Sequence, residues 1–324
     1  ILPELELAKL DGFADRLEIH TFGDNPSTWQ GLFGKAFGFT KGKKLRIGVE
    51  PTGLRYLELD LLQNAFSDAE FVDGSAIFAN LRMIKDEQEL AKMRKATEIA
   101  EAALLETLKT IQVGQTEKEV AAELLVQLYR HGSDQELPFA PIVSSGPNSA
   151  NPHASPSERR LGVGDVLLFD WGASFEGYYS DITRCFFVDL VDNRMVKIAE
   201  TVQHANHYAI AGGKAGMLAG DVDSIARQEI EESGFGKYFT HRTGHGLGME
   251  AHEAPYIFSG NTLNLKEGMV FTVEPGIYVP GLGGVRIEDD VVVDSDGLTC
   301  LTSLPREVMT IERYLDLMRI FENK

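Results

Sequence analysis

Carboxylates and imidazoles are the side chains whose types and spacing could do chemistry in this chain. Asp170 ends an apolar run, Val166 to Phe169, and Asp181 follows eleven residues later in Tyr178-Tyr179-Ser180-Asp181, across Gly172 and Gly177. A hairpin folded about Phe175 and Glu176 pairs positions that sum to 351, setting 170 against 181 with Cβ atoms about 5 Å apart. Two like charges there destabilise a sheet unless a cation neutralises them; in any other register both are turn acids. Glu274 ends a second apolar run, Met269 to Val273, and Pro275 keeps it extended. Alternation by two puts Arg286 and Glu288 on one face of Val285 to Val293 and Asp289 on the other. Glu288 is then either a fourth site carboxylate or the ion-pair partner of Arg286 on a solvated edge.

Three histidines lie in glycine- or proline-rich loops: His153 after Asn151-Pro152, His245 between Gly244 and Gly246, and His252 just before Glu253-Ala254-Pro255. The glycines around His245 let backbone close on a ligand. His241 and His245 are four apart, but Arg242 stands where a His-Glu-x-x-His helix carries its glutamate. A thermolysin-like zinc site is therefore excluded. His20, His131, His204 and His207 read as ordinary surface or core residues, as would each loop histidine taken alone.

These groups need a scaffold. Strands are expected at Val166 to Trp171, Tyr179 to Leu190, Met269 to Pro275 and Val285 to Val293, where β-branched and aromatic residues concentrate between glycines. A capping box, Asp86 with Glu89, opens a long helix whose stripe runs Leu90, Met93, Ala100, Leu104, Leu108 and Ile111. A second box, Thr116 with Glu119, opens another helix that stops at Gly132. A further long stripe covers 195 to 211. After it Gly216, Val222, Ala226, Ile230 and Gly234 match Gly114, Val120, Leu124, Leu128 and Gly132 at an offset of 102. This is either an internal duplication, placing a cleft on a pseudo-twofold axis, or two similar helical hairpins by chance. The first 82 residues form their own α/β segment, with an apolar Leu45 to Val49 followed by an amphipathic Leu54 to Phe66. We expect domains at 1–82 and 83–324.

Composition sets the bounds. The chain has 324 residues, which corresponds to about two domains, and its 43% hydrophobic and 25% charged content is that of a globular protein. Forty-nine acidic against 31 basic residues give a net charge of −18, repelling nucleic acid and anionic membranes. No apolar run spans a bilayer, and Ile1 to Leu10 lacks the regions of a signal peptide. A soluble cytoplasmic protein is expected. Cys185 and Cys300 are far apart with no Cys-x-x-Cys, so both are read as reduced packing residues and thiolate metal sites are excluded.

Asp170, Asp181, His245, Glu274 and Glu288 together resemble the five-ligand site of the pita-bread metallopeptidases: prolidase, aminopeptidase P and methionine aminopeptidase. The order Asp, Asp, His, Glu, Glu agrees, as do Ser180-Asp181-Ile182-Thr183-Arg184, Gly244-His245-Gly246, Val273-Glu274-Pro275-Gly276 and Arg286-Ile287-Glu288. Arg286 and a domain ahead of the catalytic one resemble the proline-specific branch. The resemblance implies an α+β pita-bread fold with pseudo-twofold halves, preceded by a smaller α/β domain. That domain is shorter than the family's and would lack several dozen residues, in keeping with a start at Ile1.

The implied activity is hydrolysis of the bond before proline in Xaa-Pro dipeptides or N-terminal Xaa-Pro peptides by a metal-bridging hydroxide. A homodimer is also implied. Four carboxylates and one imidazole suit two divalent ions, manganese first, with cobalt, iron or zinc as alternatives. Glu274 would double as ligand and proton shuttle, and His153 and His252 would donate to substrate carbonyls and the oxyanion. Arg286 would either grip a substrate carboxylate in two parallel bonds or support Glu288, with Thr183 as a supporting hydroxyl. Two other functions stay open on this fold: a silent peptide-binding pseudo-peptidase, and a creatinase-like amidinohydrolase that needs no metal.

Overall fold

The computed structural model describes every residue except 11, 13–15, 39–43, 191 and 323–324. It divides into two compact units, Ile1–Leu81 and Arg82–Lys324. In the first, the strands β1 (Leu2–Pro3) and β2 (Thr21–Phe22) pair in parallel, and helix α1 (Trp29–Ala36) follows. A second parallel pair, β3 (Arg46–Val49) and β4 (Glu70–Asp73), is joined by α2 (Tyr56–Ala65), and α3 (Ser75–Arg82) closes the unit. The stripe expected over Leu54 to Phe66 is rotated: Leu61 is buried while Leu57 is exposed.

Among the described residues, the second unit holds two helix pairs, two larger antiparallel sheets and two short antiparallel pairs. Helix α4 (Glu87–Leu108) starts where Asp86 accepts from the Gln88 and Glu89 amides and Glu89 accepts from the Asp86 amide, so both bonds of the expected box form. It ends three residues before Ile111, which is only half-buried. Helix α5 (Glu117–Arg130) is boxed by Thr116 and Glu119 and stops before Gly132, whose φ is +97°. Both pack on a sheet ordered β5 (Ile142–Ser145), β6 (Val166–Trp171), β9 (Ile182–Phe187), with the short pair β7 (Ser174–Phe175) and β8 (Tyr178–Tyr179) at its end. Phe169, Trp171 and Phe186 are fully buried between this sheet, α4 and the C-terminal helix α8 (Ile311–Glu322), and Trp171 Nε1 donates to the Ala100 carbonyl at 2.9 Å. Truncating an aromatic of this kind costs about 3–5 kcal/mol.

The second helix pair, α6 (Asn193–Gly212) and α7 (Ala219–Glu232), accompanies a five-stranded sheet. Its order is β11 (Glu253–Ile257), β10 (Gly244–Gly246), β12 (Val270–Val273), β15 (Asp289–Val293), β16 (Leu298–Cys300), and the hairpin β13 (Gly276–Val279) with β14 (Gly283–Arg286) stands beside it. Helices α5 and α7 have identical lengths and begin 102 residues apart, at 117 and 219. Gly114, Gly132, Gly216 and Gly234 all have positive φ, and the matched apolar positions of both helices are buried. Leu218 replaces the capping Thr116, yet the Leu218 amide still donates to Asp221, the counterpart of Glu119. Half of the reciprocal cap survives, which favours duplication over coincidence.

Two expectations about the strands are corrected. Asp170 faces Thr183, not Asp181: paired positions sum to 353 throughout β6 with β9 and β7 with β8. A two-residue type I′ hairpin turn needs positive φ at both central residues, and Glu176 (+48°) and Gly177 (+77°) supply it, so the fold centres one residue later than expected. A shift of two in the sum keeps side-chain parity, and Asp181 stays on the face of Asp170 as a diagonal neighbour. The single strand expected over Val285 to Val293 is two strands, broken at Ile287 and Glu288. There the chain leaves the hairpin and Glu288 instead bridges to Thr183, its amide donating to the Thr183 carbonyl at 3.1 Å.

Candidate active site

Both sheets deliver side chains to one seam. Asp170 comes from the penultimate position of β6, Asp181 from the residue before β9, His245 from the middle of β10, Glu274 from the residue after β12, and Glu288 from the break before β15. Close backbone approach dictates the glycines around His245. A methyl on Gly244 would collide with the Thr272 carbonyl, and one on Gly246 with the Ala254 carbonyl.

All five residues line one cavity of about 760 Å³. Their donor atoms fall into overlapping groups, Asp170 with Asp181 and Glu288, and His245 with Glu274 and Glu288, each within 4.8 Å. His245 Nε2 lies 3.6 Å from Asp181 Oδ2 and 3.5 Å from Glu274 Oε1. The other ring nitrogen, Nδ1, is 3.1 Å from the Gly246 carbonyl, which places the proton on Nδ1 and leaves Nε2 as a donor lone pair. Burial, reinforced by His252, holds this imidazole down at about 3, so it is neutral at physiological pH.

The carboxylates are pushed the opposite way. Burial, with the Glu288 charge next, lifts Asp181 and Glu274 well above their ordinary range. Burial and the Asp170 charge raise Glu288 to about 8. Burial raises Asp170 as well, against the pull of Arg286. Asp170 Oδ1 and Asp181 Oδ1 are buried without any hydrogen-bond partner among the described residues. Four acids pressed together with unspent lone pairs require protons or cations, and a hard, oxygen-rich donor set of this kind fits divalent ions. The residues present fit a metal centre.

The remaining candidates sit around this nest. His153 and His252 are exposed at the cavity wall, and the His252 ring meets His245 edge-on at 4.0 Å. His252 also completes a ligand-capable group with Asp181 and His245. Thr183 Oγ1 donates to Glu288 Oε2 at 2.6 Å and accepts from Arg286 Nε at 3.1 Å. Arg286 departs from the role of a substrate anchor. It is 3% exposed, with Nη1 donating to Tyr278 Oη and the Pro152 carbonyl and Nη2 to Asp170 Oδ2. The guanidinium therefore braces Asp170 and Thr183. On a solvated edge it would have been free; the Ile287–Glu288 break buries it.

Sequence reasoning passed over His241, Tyr278 and Arg242 as site residues. His241 Nε2 is 2.9 Å from Tyr278 Oη, and its Nδ1 is 4.0 Å from Glu274 Oε2. Burial, followed by the Arg286 charge, lowers His241 to about 4. The available signal was position: His241 stands four before His245 and Tyr278 four after Glu274.

Paired α+β halves with this acid-rich nest at their seam define the pita-bread class of metal-dependent hydrolases. Residues 91–295 match metallopeptidase family M24. The chain is 40% identical to the Xaa-Pro dipeptidase of Lactobacillus delbrueckii subsp. lactis over 264 residues, covering 81% of this chain and 72% of that protein. It is 40% identical to the Xaa-Pro dipeptidase of Pyrococcus furiosus over 263 residues, covering 81% and 75%. Among solved structures, recombinant prolidase from Thermococcus sibiricus superposes with a TM-score of 0.89 at 36% identity, covering 95% of this chain and 83% of that one. The X-Pro aminopeptidase from Thermotoga maritima MSB8 gives 0.81 at 34% identity, covering 95% and 86%. The chain belongs to metallopeptidase family M24.

Proposed function

We propose that this protein is a two-metal exopeptidase that hydrolyses the bond before proline in Xaa-Pro dipeptides or N-terminal Xaa-Pro peptides. The observation that carries this reading is the convergence of Asp170, Asp181, His245, Glu274 and Glu288 on one cavity, with orphaned buried carboxylate oxygens among them. The dipeptidase relatives and prolidase neighbours support the choice of substrate. Asp170, Asp181 and Glu288 would hold one ion and His245, Glu274 and Glu288 the other, with manganese best matched to the oxygen-rich set. Two bound divalent ions supply an activated water near neutral pH and polarise the scissile carbonyl.

The chain's own groups do the rest. Glu274 takes the proton of the attacking water at its carboxylate and delivers it to the prolyl nitrogen, a poor leaving group until protonated. His153 and His252, on the cavity wall, donate to the substrate carbonyl oxygen as charge develops on it; a donor so placed contributes about 10² to 10³ in rate. Arg286 and Thr183 hold Asp170 and Glu288 in position for that geometry. Retention of all five donors weighs against a silent peptide-binding module.

Chelator-dialysed protein, restored with manganese, is expected to release the N-terminal residue from Gly-Pro, Ala-Pro or an Xaa-Pro-Xaa peptide. No cleavage of any of them with manganese, cobalt, iron or zinc overturns the proposal. A rate indifferent to chelation would point instead to metal-free amidinohydrolase chemistry.

A further inference from the structure

Two guanidinium groups line the cavity, and only one is committed. Arg286 spends its donors on Asp170, Thr183, Tyr278 and the Pro152 carbonyl. Arg242 is half-buried in the same wall, and its guanidinium makes no hydrogen bond or ion pair among the described residues. Its guanidinium carbon sits 4.8 Å from the centre of the Tyr256 ring. A cation held over an aromatic ring in this way keeps its N–H donors available to meet a planar anion. Tyr256 is the strand partner of His245, so this perch lies beside the metal-binding nest.

An Xaa-Pro dipeptide carries its α-carboxylate one residue from the scissile bond. Binding brings that anion into a cavity already lined by four carboxylates, in a chain of net charge −18. It needs a cation with free donors within reach. An amidated or longer peptide brings no charge to the same place and gains nothing from one. We propose that Arg242, braced on Tyr256, anchors the free carboxylate of the substrate and makes this enzyme selective for dipeptides. The inference rests on the Xaa-Pro peptidase reading and assigns to Arg242 the role that the sequence suggested for Arg286.

The test compares Ala-Pro with Ala-Pro amide in kcat/KM, using manganese-loaded wild type, Arg242→Gln and Arg242→Lys. Charge-assisted bonds of this kind correspond to about tenfold to a hundredfold, so wild type is expected to favour the free dipeptide by that factor. Arg242→Gln is expected to bring the ratio close to one, mainly through KM, and Arg242→Lys to restore part of it. Calorimetric binding of the same two ligands to metal-free protein should show the same preference and its loss in Arg242→Gln, independently of turnover. A wild-type ratio near one, or a ratio unchanged by Arg242→Gln, overturns the inference while leaving the peptidase reading intact. Failure of wild type to cleave either ligand with any of the four metals sinks that reading and this inference with it.

Discussion

Thr183 shows how much one hydroxyl can carry. It joins a carboxylate that would bind metal, Glu288, to the arginine that braces another, Asp170. Valine has nearly the same shape and cannot do either. Loss of an outer partner of this kind typically costs about 10- to 100-fold in metal affinity. Thr183→Val is accordingly expected to weaken manganese binding by about that factor, with the fold preserved by circular dichroism. An unchanged dissociation constant in a metal titration would show the hydroxyl to be dispensable. Residue types were the most legible part of the site in the sequence: Asp170 and Glu274 close apolar runs, and His245 stands between two glycines. What each polar partner was doing was not legible. Arg286 could be read as anchor or brace because only tertiary burial decides which of its donors are left over, and Arg242 was invisible as a site residue until the Tyr256 strand lay beneath it.

Elements were legible where local chemistry alone sets them. The two capping boxes form as written, and α5 stops at the glycine that announces its end. Register was less accessible, since the turn centre depends on which residues accept positive φ, and a shift of one position at Glu176 and Gly177 changed the facing pair. The break at Ile287 and Glu288 was also hidden, because Val285 to Val293 alternates as a single strand would and leaves one sheet only through contacts made far away in sequence. Strand β10 offers a direct check. Gly246 has no room for a side chain against the Ala254 carbonyl, so Gly246→Ala is expected to push β10 off β11, displace His245, and lower both the unfolding midpoint and the metal stoichiometry. A variant with two ions bound and the parental midpoint would contradict the close-approach argument.

Across the whole molecule, folding and metal binding are linked through protons. In metal-free protein Glu288 titrates at about 8 against an ordinary 4.5, because burial and Asp170 disfavour its charge. The native state thus holds a proton that the unfolded chain has released. This stabilisation is complete below about 4.5 and is lost as pH climbs to about 8. Asp181 and Glu274 shift in the same direction. His241 and His245, lowered from 6.5 to about 4 and about 3, mainly by burial, oppose the trend only below about 6.5. Between pH 6.5 and 8 the unfolding midpoint of chelated protein should therefore fall, and the rise produced by added manganese should widen, since ions bind the deprotonated ligands and expel protons. A flat or rising midpoint without metal over that interval would refute the assignment.

The seam between the sheets has one more implication. Asp170 and Asp181 belong to the first lobe, and His245, Glu274 and Glu288 to the second. Cross-links such as Arg184 to Asp289 and the Asp181 amide to Asp290 stitch the same boundary. The group Asp170, Asp181 and Glu288 draws on both lobes, so an ion held there works as a clasp that reports whether the lobes have closed on one another. Starved of metal and taken to a pH at which these acids lose their protons, the chain would carry mutual repulsion along its central joint, and that joint is where it would be expected to loosen first.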